Sequence, residues 1–391
     1  MSSTSLENKY LGMSETPAVQ VRRAQGDFVY DNRGKKYIDF VMGWCVGNFG
    51  WGNPEIVGAA QRYDGPDYVY PEYSYAAWGE LARLLASISP GKLTKSFRAT
   101  GGSEAIELAL QAAMLHTGRK RFVALEDSYH GNTIGAMSIA SKEYREKLSN
   151  LLPYCHRIPT SLDHHALERL QSALKGRDVA AFIMEPVSMN LGVLIPEKSF
   201  MTEAQQLCRR YGTLLVMDEV ACGFCRTGKV FASEHFGIEP DIMTMGKAIT
   251  GGVAGIGATI MTEEVADSLS EDGNVWSTFG WHPRGVDVAI ATVRYVKRSR
   301  RELLRHAMEL SEYFRTSLSS ISFRGYSALN IIGLAIYLNL GDEDYAEEIR
   351  QKCQRKGLLL VTQEDGLLLI PAVTVDRRVA ARAMEILADC A

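Results

Sequence analysis

Ile242-Met243-Thr244-Met245-Gly246-Lys247-Ala248-Ile249-Thr250-Gly251-Gly252 carries a short, mostly apolar run into a glycine, a lone lysine and a Gly-Gly turn. Such a run reads as a buried strand, so the stretch presents one amine at a strand end. A lysine among apolar residues is desolvated, which favours the neutral, nucleophilic amine that a Schiff-base lysine requires. Upstream, Leu214-Leu215-Val216-Met217 reads as a fully buried strand closed by Asp218. A carboxylate there needs a cationic partner. Taken singly, Lys247 also reads as a surface lysine and Asp218 as a helix cap. Taken together, they are the pair that a pyridoxal phosphate site needs, because a protonated pyridinium nitrogen would be the missing cation.

Around this stretch, strands are expected at 122–125, 180–184, 214–217, 242–245 and 256–261, with helices between several of them, as at 203–211. Residues 95–98 lead into a glycine turn and a helix over 103–117, with Ser103 as N-cap and Gly118 as stop. The alternation predicts an α/β fold whose mostly parallel sheet carries helices on both faces and its functional residues at strand C-termini. After Pro283 and Gly285 the pattern changes to a long helix from 286 to about 318, short strands near 331–338 and 358–370, and a closing helix. Residues 27–41 read as a small antiparallel unit turning at Asp31-Asn32-Arg33-Gly34-Lys35. The expected division is residues 1–50 as the N-terminal part of a small α+β domain, 51–285 as a large cofactor-binding domain, and 286–391 as the C-terminal part of the small one.

Composition narrows the function. The chain has 391 residues, 46% hydrophobic and 23% charged, which suits roughly two globular domains. A net charge of −3 provides no basic field for nucleic acid or an anionic membrane. Residues 1–16 are polar, without a signal-peptide core, and no run is long enough to span a membrane, so a cytoplasmic protein is expected. Seven scattered cysteines read as free thiols in a reducing compartment. Cys222-Gly223-Phe224-Cys225 has redox-motif spacing but lacks both the thioredoxin context and a second pair for zinc, so no metal site is expected.

Thr100-Gly101-Gly102-Ser103-Glu104-Ala105 is a glycine-rich turn opening a helix, a cradle for phosphate or a plain tight turn. Tyr129, in Tyr129-His130-Gly131, and Val220 would sandwich a flat cofactor ring, or be a loop aromatic and a core valine. Glu185-Pro186 places another carboxylate at a strand end, to orient the ring contacts or to cap a loop.

These segments, with Asp218-Glu219-Val220, Gly223-Phe224-Cys225-Arg226-Thr227-Gly228, Gly246-Lys247 and Ser277-Thr278-Phe279-Gly280, resemble in order the class III pyridoxal-phosphate-dependent aminotransferases. That family groups omega-amine transaminases, acetylornithine aminotransferases and glutamate-1-semialdehyde aminomutases, and the resemblance runs from about residue 20 to 375. It implies fold type I and a homodimer with active sites at the subunit interface. It further implies Lys247 as Schiff-base lysine and proton carrier, and Asp218 as holder of the ring nitrogen. Gly102 and Ser103 would bind the phosphate, Thr278 would reach the neighbouring subunit's phosphate, and Tyr129 and Val220 would cover the ring. His130 and Glu185 count among the cofactor-binding residues. Gly43-Trp44-Cys45-Val46 followed by Gly50 resembles the omega-amine transaminases, which makes Trp44, with Tyr129, a substrate-pocket residue; Trp44 also reads as core.

Two departures concern the substrate. Where many relatives carry a glutamine that bonds the cofactor's phenolic oxygen, the residue is Ala221. Where many carry an arginine that grips a substrate carboxylate, residues 357–371 contain none, leaving Arg22, Arg23 or Arg226 for that task. The expected activity is ping-pong transfer of an amino group from an amine or amino acid to a carbonyl acceptor, with an amine distal to any carboxylate as donor. An aminomutase, racemase or decarboxylase would use the same site, and a silent scaffold protein would have little reason to keep Lys247 and Asp218.

Overall fold

The computed structural model describes residues 10–12, 19–272, 275–325 and 328–391, so most of the polar N-terminus discussed above lies outside the described residues. Asp31 turns the chain as its neighbours suggest. Its Oδ1 accepts the backbone N–H groups of Arg33 and Lys35, and Gly34 takes φ 84°. The turn joins β2 (Phe28–Asp31) to β3 (Lys36–Asp39), and β1 (Val21–Gln25) completes an antiparallel meander.

The large sheet contains β4 (Lys95–Ala99), β5 (Arg121–Leu125), β6 (Cys155–Ile158), β7 (Val179–Met184), β8 (Leu214–Asp218), β9 (Ile242–Met245) and β10 (Gly257–Met261), in the order β4-β10-β9-β8-β7-β5-β6. Only β10 runs against its two neighbours. Strands β7, β8 and β9 are buried along their whole length, as expected for parallel strands covered on both faces. Because β4, β5, β7, β8 and β9 point the same way, Thr100, Glu126, Glu185, Glu219 and Gly246 all leave the sheet at one edge.

The helix after β4 spans Gly102–Thr117 and ends at Gly118, which takes φ 64°. Ser103 does not cap it. Gly101 stands at the cap position, and Ser103 lies in the first turn, where its Oγ accepts the N–H of Asn132. Two other helices start earlier than the pattern suggests, at Lys198 and at Pro283. Pro283 opens its helix at the first position, where a missing N–H costs nothing, and the helix continues to Ser319.

In the C-terminal part, β11 (Ala328–Ile332), β12 (Ala335–Asn339), β14 (Val361–Gln363) and β15 (Gly366–Leu369) form a third, antiparallel sheet. Between them, β13 (Leu358–Leu359) pairs parallel with β3, so chain beginning and end share a sheet. Arg226 ties these parts together. Its guanidinium donates to the carbonyls of Leu334 (2.9 Å) and Pro371 and to Asn48 Oδ1 (2.6 Å), while Asn48 Nδ2 donates back to the carbonyls of Gly223 and Phe224.

Candidate active site

At the common sheet edge a cavity of about 810 Å³ opens, and the strand ends supply its floor. Asp218 ends β8 almost fully buried. Its Oδ2 accepts a hydrogen bond from His130 Nδ1 at 2.8 Å, and its Oδ1 accepts Thr244 Oγ1 at 3.0 Å and the Val220 N–H at 3.1 Å. His130 Nε2 is buried and has no partner among the described residues. Thr244, one residue from the end of β9, was missed at the sequence level; its place beside Asp218 follows from the parallel register of β8 and β9.

Lys247 follows β9 through Gly246 and starts a short 3-10 helix with φ 45°. It is half-buried, and its Nζ lies 5.7 Å from the centre of the Trp44 ring. Trp44 reaches this place by an unusual route, since Met42, Gly43, Trp44 and Cys45 all have positive φ, from 45° to 66°. A left-handed turn costs roughly 1–2 kcal/mol per non-glycine residue, so surrounding packing must impose it. Met42 and Cys45 are fully buried, and Asp39 Oδ1 accepts the N–H groups of Val41 and Met42.

Glycines shape the other wall. A Cβ on Gly102 would stand 2.8 Å from Val220 Cγ1, and one on Gly246 would stand 3.3 Å from both Gly102 N and Val220 Cγ1. Gly131 takes φ 128°, and a Cβ there would meet Ser103 Oγ at 2.4 Å. Gly102 and Ser103, at the helix start, line the cavity, and the close neighbours of Gly102, Gly131 and Gly246 leave no room there for a side chain. Val220 and the 41% exposed Tyr129 line the cavity with them.

Glu185 follows β7 into the same cavity, 6% exposed. Burial, and then the charge of Asp218, push its carboxyl well above the ordinary glutamate range, while Lys247 pulls the other way. By contrast, Glu219 is a structural staple. Its carboxylate accepts the N–H groups of Ala232 and Ser233 and the hydroxyl of Ser233.

Of the expected site residues, Lys247, Asp218, His130, Tyr129, Val220, Gly102, Ser103, Glu185 and Trp44 meet around this cavity. Thr278 does not line it and is exposed. Sequence reasoning passed over Asp127, Lys142, Glu143, Asn190 and Glu364; Asp127 and Asn190 reach the cavity from loops, Lys142 and Glu143 from the first turn of the helix Lys142–Lys147, and Glu364 from the β14–β15 turn. None of the three arginines proposed for a carboxylate lines it. Arg226 is fully buried in the clamp described above, Arg22 is exposed on β1, and Arg23 covers the Tyr30 ring at 4.3 Å. Cys222 and Cys225 are buried and unbridged, and among the described residues no cluster suited to a metal ion occurs.

A free amine, a buried carboxylate for a ring nitrogen and a glycine-lined cradle at one sheet edge match the needs of pyridoxal phosphate. Among the described residues His130 Nε2 has no partner, and Gly102 and Ser103 line the cavity at a helix start, so the residues present fit that group. With this sheet order, they define a pyridoxal-phosphate-dependent α/β enzyme of fold type I.

A model of the aminotransferase class-III family matches residues 11–391, and the chain belongs to that family. It is 34% identical to the acetylornithine aminotransferase of Archaeoglobus fulgidus, over 94% of each chain. It is also 34% identical to the [LysW]-aminoadipate semialdehyde transaminase of Deinococcus radiodurans, over 86% of this chain and 78% of that one. Its fold matches the crystal structure of ornithine aminotransferase from Toxoplasma gondii with TM-score 0.92 at 24% identity, covering 99% of this chain and 93% of that one. The same TM-score and identity relate it to taurine:2-oxoglutarate aminotransferase from Bifidobacterium kashiwanohense, solved with PLP and glutamate, over 99% of this chain and 96% of that one. The protein is an aminotransferase that transfers an amino group to a carbonyl acceptor, with pyridoxal 5′-phosphate as cofactor. Among the described residues no helix is long and apolar enough to cross a membrane.

Proposed function

We propose that Lys247 holds the cofactor and moves the proton between substrate carbon and cofactor. The observation that carries this reading is the buried Asp218–His130 pair sharing one cavity with that amine. When bound, pyridoxal phosphate supplies the carbonyl that accepts the substrate amine and a ring that draws electrons from it. Asp218, held by His130, Thr244 and the Val220 N–H, would pair with the ring nitrogen. Gly102 and Ser103 bind the phosphate, Val220 and Tyr129 cover the ring, and Trp44 bounds the substrate space.

The division into residues 51–285 and a small domain of 1–50 with 286–391 suits this arrangement, since Trp44 comes from the first segment and Glu364 from the last. We further propose a homodimer. Thr278 and Phe279 are exposed beside Tyr68, Tyr70, Tyr73 and Trp276, an aromatic surface that a second copy would cover while Thr278 reached its phosphate. Sedimentation at micromolar concentration should find dimers, and a monomeric holoenzyme would refute this. Work in the cytoplasm fits seven unpaired cysteines.

The donor, in this reading, is an amine whose carboxylate is distant or missing, because no arginine lines the cavity among the described residues. Adding single donors without acceptor should bleach the cofactor's yellow band and release an equal amount of carbonyl product, faster for simple amines than for ornithine or acetylornithine. Equal rates for all of them would end the donor assignment. Bleaching without carbonyl product would point instead to another reaction.

A further inference from the structure

Thr278 is expected to serve the neighbouring subunit's phosphate, and the contacts that fix its loop lie beside this subunit's own cradle. Glu104 stands in the first turn of the helix Gly102–Thr117 and turns back to the residues before it. Its Oε2 accepts the backbone N–H of Thr100 at 2.7 Å and the Thr100 hydroxyl at 2.5 Å. The Ser277 hydroxyl reaches the same carboxylate as a third donor. Burial alone would raise the carboxyl, but the bonds from Thr100 and then from Ser277 hold it below the ordinary glutamate range, so it stays an anion at neutral pH.

Backbone contacts close the same joint. A Cβ on Gly280 would stand 2.6 Å from Ser277 Oγ and 2.9 Å from the carbonyl oxygen of Arg98, and one on Gly257 would stand 2.3 Å from the carbonyl oxygen of Gly101. Trp281, almost fully buried, donates its Nε1–H to the Gly257 carbonyl at 2.8 Å. Residues 277–281 are therefore seated on residues 98–104, the stretch that carries Gly102 and Ser103 to their own cavity. Thr278 itself is exposed and lines no part of that cavity. A hydroxyl on an exposed loop loses conformational freedom when it binds, and a fixed acceptor on the neighbouring residue reduces that loss.

We propose that Glu104 is a positioning residue acting between subunits: through Ser277 it holds the loop that brings Thr278 to the partner's phosphate, so that a carboxylate of one subunit tightens cofactor binding in the other. The proposal rests on the homodimer reading, in which Thr278 crosses to the second copy.

Hybrid dimers, made by co-expressing two differently tagged subunits, separate this role from an effect of Glu104 on its own cradle. In each hybrid one subunit carries Lys247→Ala, so borohydride reduction fixes cofactor to Lys247 of the other subunit alone. The pyridoxal phosphate concentration that half-loads that lysine is then read by mass. With Glu104→Gln on the Lys247→Ala subunit, the altered loop faces the wild-type subunit. Half-loading should then need roughly fivefold more cofactor than in a hybrid without the Glu104 change, the scale of one hydrogen bond. With Glu104→Gln on the subunit that keeps Lys247, half-loading should stay within roughly twofold of that control, because the glutamine oxygen still accepts from Thr100. Both arrangements contain the same substitutions, so a general loss of stability weighs on them alike. Ser277→Ala removes the other half of the contact; it should reproduce the shift, and the two changes together should add little to either alone. Equal half-loading in the two arrangements, or a larger shift when Glu104→Gln sits on the subunit that keeps Lys247, would overturn the proposal. Thr278→Ala in the first arrangement tests the reading beneath it. A raised half-loading there with none for Glu104→Gln would sink the role of Glu104 and leave the shared phosphate site standing, whereas no shift from Thr278→Ala, or tagged subunits that never pair, would remove both.

Discussion

Replacing Lys247 by alanine is expected to lower kcat by roughly 10³-fold or more, since both the attacking amine and the proton carrier are lost. The fold should survive. Lys247 Nζ has no hydrogen-bond or ion-pair partner among the described residues, and it lies 5.7 Å from the centre of the Trp44 ring. Its positive φ of 45° is set by the turn between Gly246 and Gly251, and alanine bears the same strain there. Stability should therefore move by no more than about 1 kcal/mol, as for substitutions that leave no buried group unpaired. A single-turnover rate within tenfold of wild type, in a variant that melts normally, would contradict the role assigned to this amine.

Asp218→Asn is expected to cost roughly a hundredfold in kcat and to weaken cofactor retention. The new side chain has nearly the same shape but no charge with which to hold a ring proton. A hydrogen bond to a charged group contributes about 1.5–3 kcal/mol, which converts to that factor. The damage extends beyond the ring nitrogen. Asp218 accepts from His130 Nδ1, Thr244 Oγ1 and the Val220 N–H, and an amide offers one oxygen where the carboxylate offers two. One amide N–H must then face a donor, at a cost of about 1–3 kcal/mol in stability. The pair of readouts is kcat and the melting temperature of the cofactor-free protein. A variant with wild-type values of both would show that the Asp218–His130 pair does not support the chemistry.

The centre of the sheet was legible because its strands leave little alternative. Ile242–Met245 appears as read, and the runs ending at Leu125, Met184 and Asp218 differ from their readings by one residue at an end. Runs buried on both faces cannot be mistaken for half-exposed ones. Starts of helices were less legible. Gly101 stands at the cap and Gly102, the first helical residue, lets the backbone approach Val220; no side chain advertises that start, so Ser103 attracted a capping role it does not have. Residues delivered by strand ends, Asp218, Glu185 and Lys247, were found because their position follows from the strand itself. Asp127, Asn190 and Glu364 were not, because loops and a distant hairpin bring them to the cavity, and no local pattern encodes that meeting. Arg226 shows the converse. A charged residue inside a motif suggested substrate, yet its Nη1 and Nη2 atoms donate to the backbone of Leu334 and Pro371 and to Asn48, contacts far apart in sequence. The left-handed turn at Met42–Cys45 carries only Gly43 as a sign of positive φ, so Trp44 was placed by resemblance.

The assignment of Lys247 has one rival inside the cavity, Lys142, the other amine on its lining. Borohydride reduction of the holoenzyme, followed by peptide mapping, fixes the cofactor to the lysine that carries it. The account predicts one modified residue, Lys247, with loss of the visible band in equal proportion. Cofactor mass on Lys142, or a reduced protein with no modified lysine, would contradict it.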